Sequence, residues 1–318
     1  MTRKTSKASS NAESQQVAAA EPVRTFRIGV HDIAARPVAP GLYLVSTPIG
    51  NLGDMTIRGL ETLAGADLIA CEDTRVSRVL LTRYGIATRP YAYHEHNAER
   101  VGPKLMEALE AGKSVALISD AGTPLISDPG YRLSQTAIEA GVPVIPIPGA
   151  SAPMAALVAS GLPSDAFLFA GFLPSKDKAR RDRLASFATT EATMMFFESP
   201  NRLAACLKSA ADVLGTDRPA AVCRELTKAY EEIRRGTLGE LAAQYEDENV
   251  RGEIVLAIGP GSTPLPSEDD VDVLLAKLAA DLPAGKAATE AARLTGVPRK
   301  DLYQRLLDMK DLAAKNPD

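Results

Sequence analysis

Short apolar runs recur along this chain from residue 41 onward. They start near Leu42, Leu68, Tyr91, Val115 and Val142, at intervals of 23 to 27 residues. Helix-length segments fill the gaps: Thr56–Ala64, Val76–Tyr84, Glu99–Ala111 and Tyr131–Ala140. Each stops at a glycine (Gly65, Gly85, Gly112, Gly141), the usual residue just past a helix end. Strand, helix, strand at this spacing predicts βαβ units and a largely parallel, buried sheet. No side-chain pattern repeats with the beat, which argues against a solenoid. After an apolar helix near Pro153–Ala159 and a divider at Gly161–Ser164, runs resume at Phe167, Thr193, Ala220 and Glu253. Leu238–Tyr245 reads as a helix and the polar stretch Tyr230–Gly236 as an antiparallel edge strand. The fold class is therefore α/β. The expected organisation is a disordered N-terminal extension (1–37), an N-terminal α/β domain (38–152), a C-terminal α/β domain (153–262) and a small helical module (267–312).

That module follows a proline-rich linker, Gly259–Pro266. It holds three helical segments, Val271–Ala280, Lys286–Leu294 and Arg299–Leu307, the last two joined by a tight turn at Thr295–Pro298. A short glycine-bearing turn between helices is the helix-turn-helix pattern. Lys286, Arg293, Arg299, Lys300 and Arg305 outnumber Glu290 and Asp301, which favours nucleic-acid contact over a purely stabilising cap.

Composition narrows the class. The chain has 318 residues, 45% hydrophobic and 24% charged, enough apolar material for sizeable cores and too much for a wholly disordered chain. Thirty-six basic residues against 40 acidic ones give a net charge of −4, so contacts to nucleic acid must come from local basic patches. Cys71, Cys206 and Cys223 are widely spaced, without a CxxC, and read as reduced core thiols of a cytoplasmic protein. No apolar run approaches the roughly 20 residues that span a bilayer. In the extension, Arg3, Lys4, Lys7, Arg24, Arg27 and Arg36 face only Glu13, Glu21 and Asp32. The absence of an apolar h-region excludes a secretory signal.

In open α/β sheets, ligands bind beyond the carboxyl ends of the strands. The loops at those points are rich in Gly, Pro and Ser: Ser46–Asp54, Cys71–Arg75, His94–Asn97, Ser119–Gly130 and Pro148–Pro153. Their shared composition points to backbone approaching a ligand closely. Familiar motifs fail on spacing. Gly50-x-x-Gly53 is not a dinucleotide fingerprint, and Gly112–Ser114 lacks the first glycine of a phosphate loop. Gly149–Pro153 lacks the second glycine of a nucleophile elbow. His94-x-His96 has no Cys or third His near in sequence and reads as an exposed loop pair rather than a metal site. In the second domain Lys176, Lys178, Arg180, Arg181 and Arg183 follow a strand's carboxyl end and are placed to grip phosphates. Phe196–Arg202 and Arg224–Lys228 end the next two strands and add charged groups.

The segments STPIGNLGDMT, CEDTR, SDAGTPLISDPG, PGASA, GFLP with its basic sequel, FFESPNRL, RELTKAYEE and RGEIVLAI together resemble the tetrapyrrole-methylase-like family of S-adenosylmethionine-dependent methyltransferases. Within it they resemble the branch that acts on ribosomal RNA and carries a helical tail. The resemblance covers about residues 41–260 plus the tail. It implies two α/β domains forming a cleft, a homodimer, and S-adenosylmethionine as methyl donor without a metal. The positions matching the family's donor contacts are Leu52, Asp120, Gly122, Thr123, Ile126, Ser151 and Ala152, with Phe197 and Leu226 in the second domain. The implied reaction is methylation of the ribose 2′-hydroxyl of a cytidine in 16S rRNA at the decoding centre, on rRNA or on the 30S subunit. Glu198, Glu225, Lys228 and Asp73 are then the polar candidates for the chemistry, and the five basic residues from Lys176 to Arg183 the contacts to RNA. A methylase of a small precorrin-type tetrapyrrole and a helix-turn-helix regulator are the competing readings. The basic loop and the tail favour RNA over a lone macrocycle.

Overall fold

A computed structural model describes residues 23–127, 130–261 and 268–315 of the chain. The described residues form two compact units that divide between Ala150 and Ser151. The extension before residue 23, most of the proline-rich linker, and Asp128 and Pro129 lie outside the described residues.

The first unit is built on a five-stranded sheet. Its strands are β3 (Gly41–Val45), β4 (Leu68–Cys71), β5 (Pro90–Ala92), β6 (Ser114–Ile118) and β7 (Val144–Ile147). They lie in the order β5-β4-β6-β3-β7, and every pair is parallel. Helices α1 (Ile57–Gly65), α2 (Thr74–Arg83), α3 (Ala98–Glu110) and α4 (Tyr131–Glu139) make the connections. Both faces of the sheet are covered, which is why its strands read as continuous apolar runs. Along β6 the residues alternate between two cores. Ala116 and Ile118 pack with Leu60, Leu63 and Leu80 on one face, and Val115 and Leu117 with Leu105, Leu109 and Leu133 on the other. Helix α1 starts where the Thr56 hydroxyl accepts from Gly59 N at 3.0 Å, an N-cap that satisfies an otherwise orphaned donor.

Residues 25–34 depart from the expected disorder. They form an antiparallel hairpin of β1 (Thr25–Ile28) and β2 (His31–Ala34). Phe26 is only 2% exposed and joins the core beside α1. The Arg24 guanidinium donates to the carbonyls of Gly65 and Ala66 at 2.8 and 2.7 Å, satisfying acceptors at the end of α1. A hairpin with one buried aromatic has almost no periodic signal. Its stability comes from the helix end it covers.

The second unit begins with α5 (Ala152–Ser160), which ends at Gly161 in a left-handed conformation. Its sheet contains β8 (Phe167–Phe172), β9 (Thr193–Glu198), β10 (Pro219–Arg224), β11 (Glu232–Thr237) and β12 (Ile254–Ile258), in the order β11-β10-β12-β9-β8. Only β8 and β9 are parallel; β12 runs antiparallel to both β9 and β10. The polar stretch near residue 232 is the antiparallel edge strand, paired with β10. Helices α6 (Asp177–Ala185), α7 (Leu203–Leu214) and α8 (Leu238–Gln244) complete this part. A capping box between Thr237 and Glu240 starts α8. The tail comprises α9 (Glu268–Asp281), α10 (Ala284–Thr295) and α11 (Arg299–Lys315), packed around Leu275, Ala288, Ala291, Leu302 and Leu306. Gly296, left-handed, closes α10 before the turn into α11. All three cysteines are buried and unpaired by disulfides. Among the described residues no helix is long and apolar enough to cross a membrane.

Replacing Phe26 by Ala is expected to destabilise the first unit by about 3 kcal/mol, the cost of emptying a buried aromatic site. Urea unfolding of wild type and Phe26→Ala checks this, and an unchanged midpoint would return residues 25–34 to the status of a loose extension.

Candidate active site

The carboxyl ends of β3 and β6 are tied together in the first unit. Thr47 N donates to Gly122 O at 2.9 Å, and Gly122 N donates back to Thr47 O at 3.1 Å. The Thr47 hydroxyl donates to Ser119 O at 3.2 Å, and the Ser119 hydroxyl to Gly122 O at 3.1 Å. Thr123 extends the knot. Its hydroxyl lies 3.1 Å from Ser46 Oγ and donates to Ala150 O at 3.2 Å, which links the first, fourth and fifth loops. Gly122 has φ of 82°, a conformation open mainly to glycine. Gly149 packs so closely that a Cβ there would sit 2.9 Å from Ser46 Cβ. Leu125 and Ser127 are also left-handed, at φ of 72° and 67°, and such strain in non-glycine residues concentrates at functional sites. Leu52 lies in a 3₁₀ turn, partly buried, with its carbonyl accepting from the Tyr84 hydroxyl. Ile126 stands exposed on the fourth loop.

Carboxylates crowd the neighbouring strand ends. Asp73 caps α2, accepting from Arg75 N at 2.8 Å and pairing with the Arg75 guanidinium at 2.6 Å. These bonds hold its pKa down at about 2. The Asp73 N–H in turn donates to Asp120 Oδ1 at 3.0 Å. Burial pushes the Asp120 carboxyl up, and the charge of Asp73 adds to the rise against the pull of that N–H. Glu72 is raised by burial and then by Asp120. At this edge Asp73 is held ionised, while the carboxyls of Asp120 and Glu72 are shifted upward. Arg75, which sets the state of Asp73, carried no signal beyond its place in the CEDTR motif.

Within the second unit, Ser151 and Ala152 begin α5, both partly buried. Phe197 on β9 packs edge-on to Phe169 at 4.9 Å and beside Phe172 at 5.4 Å. Its neighbour Glu198 has a fully buried side chain. Oε1 accepts from Ser199 N at 2.7 Å and lies 3.3 Å from Arg202 Nε. Oε2 has no hydrogen-bond partner among the described residues. The loop after β10 is strained, with Glu225 and Thr227 both left-handed at φ of 51° and 67°. Leu226 between them is buried. Glu225 Oε1 accepts from Lys228 Nζ at 2.8 Å and from Glu253 N at 2.9 Å, and Lys228 also reaches Glu253 Oε2 at 3.1 Å. The Lys228 bond, ahead of the Glu253 N–H, lowers Glu225. Burial pulls Lys228 down, but bonds from Glu225 and Glu253 outweigh it and leave its pKa raised. Sequence reasoning passed over Glu253 and Gly252. The RGEI motif held both, and Gly252, at φ of 94°, leaves the space that the Glu225 carboxyl fills.

The five basic residues divide. Lys176 and Lys178 are exposed at the start of α6. Arg183 is exposed and lies over the Phe187 ring, 4.4 Å from its centroid. Arg181 bridges Asp177 and Asp212, at 2.9 and 2.8 Å. Arg180 does not meet the expectation of a phosphate contact. It is 5% exposed, and its guanidinium donates to Ser209 Oγ, Ser175 O and Asp177 Oδ1 inside the unit. A charge buried this deeply must be hydrogen-bonded to its surroundings, and that need directs it inward.

Residues 41–242 match the Tetrapyrrole (Corrin/Porphyrin) Methylases family, and residues 266–310 match the RsmI C-terminal HTH domain. A ribosomal RNA small subunit methyltransferase I of Mesorhizobium japonicum is 59% identical over 289 residues, spanning 91% of this chain and 98% of that protein. The chain belongs to the tetrapyrrole methylase family, in the branch of ribosomal RNA small subunit methyltransferase I. The same-named protein of Escherichia coli O157:H7 is 47% identical over 273 residues, covering 85% of this chain and 95% of its own. Among solved structures, a uroporphyrin-III C-methyltransferase of Thermus thermophilus complexed with S-adenyl homocysteine superposes with a TM-score of 0.50. It is 21% identical and covers 69% of this chain and 97% of its own, a likeness of fold. The tail that this branch carries is the α9–α11 module. There Arg293 pairs with Glu290 at 2.6 Å and Arg305 with Asp272 at 2.5 Å.

Arg180→Met is expected to destabilise the second unit by about 3 kcal/mol, because it removes the three inward hydrogen bonds to Ser209 Oγ, Ser175 O and Asp177 Oδ1. Lys178→Ala is expected to leave stability within about 0.5 kcal/mol of wild type. Chemical denaturation distinguishes the two, and equal effects would contradict the inward role of Arg180.

The Glu225–Lys228–Glu253 cluster has a pH window. A lowered Glu225 stabilises the fold above the ordinary carboxylate range and loses this as pH falls through its folded pKa. A raised Lys228 stabilises below the ordinary lysine value and loses this as pH rises through its folded pKa. The difference in unfolding midpoint between wild type and Lys228→Met is therefore expected to be level from about pH 5 to about pH 10 and to shrink outside those limits. A difference that keeps growing above pH 11 would refute the assignment.

Proposed function

We propose that this protein transfers a methyl group from S-adenosylmethionine to the ribose 2′-hydroxyl of a cytidine in 16S rRNA, at the decoding centre of the small subunit. It acts in the cytoplasm as a homodimer, on rRNA or the 30S subunit, with no metal. One observation carries the reading. The methylase segment and the helix-turn-helix segment stand on one chain, at nearly the full length of a ribosomal RNA small subunit methyltransferase I that is 59% identical.

The donor is assigned to Leu52, Asp120, Gly122, Thr123 and Ile126, to Ser151 and Ala152, and to Phe197 and Leu226. The residues present suit it. A cationic sulfonium is favoured where Asp73 and Asp120 gather, and the knot around Gly122 keeps backbone carbonyls and the Thr123 hydroxyl in fixed positions. When bound, the donor supplies an activated methyl. The work of the protein is to align the ribose oxygen with it and to exclude water. Asp73 and Glu225, both held ionised by cationic partners, are weak bases and act by orientation and charge. Lys228, held protonated, stabilises negative charge growing on the ribose oxygen. Glu198, buried against Ser199 and Arg202, fixes the loop that follows β9. Lys176, Lys178, Arg181 and Arg183 are assigned to RNA phosphates.

Purified protein, labelled donor and 30S subunits from cells lacking this gene test the proposal, with ribose methylation mapped by mass spectrometry. A single 2′-O-methylcytidine is expected. Lys228→Met is expected to lower the rate at least tenfold, with donor affinity within twofold of wild type. Donor uptake without methylation of any ribose overturns the function. Full activity in all of Asp73→Asn, Glu198→Gln, Glu225→Gln and Lys228→Met eliminates these residues from the chemistry.

A further inference from the structure

The first unit holds a cavity of roughly 720 Å³ that none of the assigned donor contacts lines. It opens where β4 and β5 end, between the starts of α3 and α4. Glu72, Tyr93, His94, Glu95, Tyr131 and Arg132 are in its wall. The size falls within the range of small-molecule sites. Its chemistry is mixed and flat. The imidazoles of His94 and His96 meet edge to face with centroids 6.0 Å apart. Tyr131 is 64% exposed at the first position of α4, a large aromatic left in the open beside a cavity. The floor is Tyr93, only 2% exposed.

The wall is also preorganised. The Asn97 side chain accepts from His94 N at 2.9 Å and donates to Ala92 O at 3.0 Å, which clasps the loop that carries both histidines. His94 Nδ1 is buried and has no hydrogen-bond partner among the described residues. A polar atom left in that state inside a cavity wall is ready for a ligand donor or acceptor. The charge selects among ligands. Glu72, Glu95 and Glu99 outnumber Arg132, so a phosphate is repelled, whereas a neutral ring bearing an amino group is welcomed. Carboxylates accept from the N4 amino group of cytosine, and aromatic side chains stack on unpaired bases.

From this geometry we infer that the cavity seats the base of the target cytidine, with Tyr131 as the stacking platform and Glu72 as the acceptor for its amino group. The inference rests on the proposed function, for it names the feature by which that reaction selects its nucleotide. Glu72 is bonded in sequence to Asp73, so a base held here lies next to the carboxylate edge described above. The assignment makes these two residues determinants of substrate choice, with no part in donor binding.

The test uses the full-length protein and unmethylated 30S subunits, with donor affinity read by calorimetry and methyl transfer read separately. Tyr131→Ala, a substitution at an exposed position, is expected to raise KM for subunits at least tenfold, as loss of one base stack does. Donor affinity is expected to stay within twofold and the thermal midpoint to be unchanged. On subunits with the target cytidine changed to uridine, wild type is expected to be at least tenfold slower in kcat/KM. Glu72→Gln, which can donate to a uracil carbonyl, is expected to narrow that gap at least fivefold. Wild-type KM in Tyr131→Ala together with an unchanged gap in Glu72→Gln overturns the inference while leaving the methyltransferase reading in place. Absence of donor uptake or of methyl transfer by wild type overturns both.

Discussion

Two backbone hydrogen bonds, exchanged between Thr47 and Gly122, set the shape of the first unit where it matters. A parallel sheet covered on both faces leaves its loops at the strand ends, and loops without partners for their polar groups are mobile. Here the bridge joins the loops after β3 and β6, and Thr123 carries the connection to Ala150. Donors and acceptors inside the knot are thereby satisfied by one another. What remains facing outward is a fixed edge of carbonyls, a hydroxyl and three carboxyls. Gly122, in the bridge itself, takes the left-handed conformation that this exchange of bonds requires.

The second unit solves a similar problem with charge. Its sheet is mixed, and the loop after β10 is held by Glu225 in an unfavourable conformation. A carboxylate that accepts from Lys228 and from Glu253 N offsets the strain, and Gly252 provides the room. The same logic explains Arg180. Four residues of the basic run remain at or near the surface, while the fifth clasps α6 to α7 through Ser209 and Asp177. One run of like charge thus contains both a structural clasp and a solvated face.

Much of the α/β architecture was legible from spacing. Runs of Val, Leu and Ile two dozen residues apart, with glycine at each helix end, allow little except βα units. The edge strand at Glu232–Thr237 was legible too, because an exposed antiparallel strand alternates polar residues in a recognisable stretch. The hairpin at residues 25–34 was not. Phe26 is a single apolar side chain among charges, and its burial depends on α1, which lies thirty residues further on. Site residues were legible as motifs, with their states hidden. Asp73 and Asp120 look alike in sequence, yet Arg75 holds one ionised while burial lifts the other.

By itself, then, the sequence determined the order of strands and helices from residue 41 onward, the helical tail and the family, because periodicity and local capping act over a few residues; the hairpin at residues 25–34 and the antiparallel placement of β12 came from the fold. Tertiary structure alone decided which of five cations is buried, which carboxyl is pushed up and which down, and that two histidines and a distant tyrosine share one cavity. Those properties depend on burial and on partners far away in the chain. Desolvation and pairing are set by neighbours in space, and only the folded backbone says who those neighbours are.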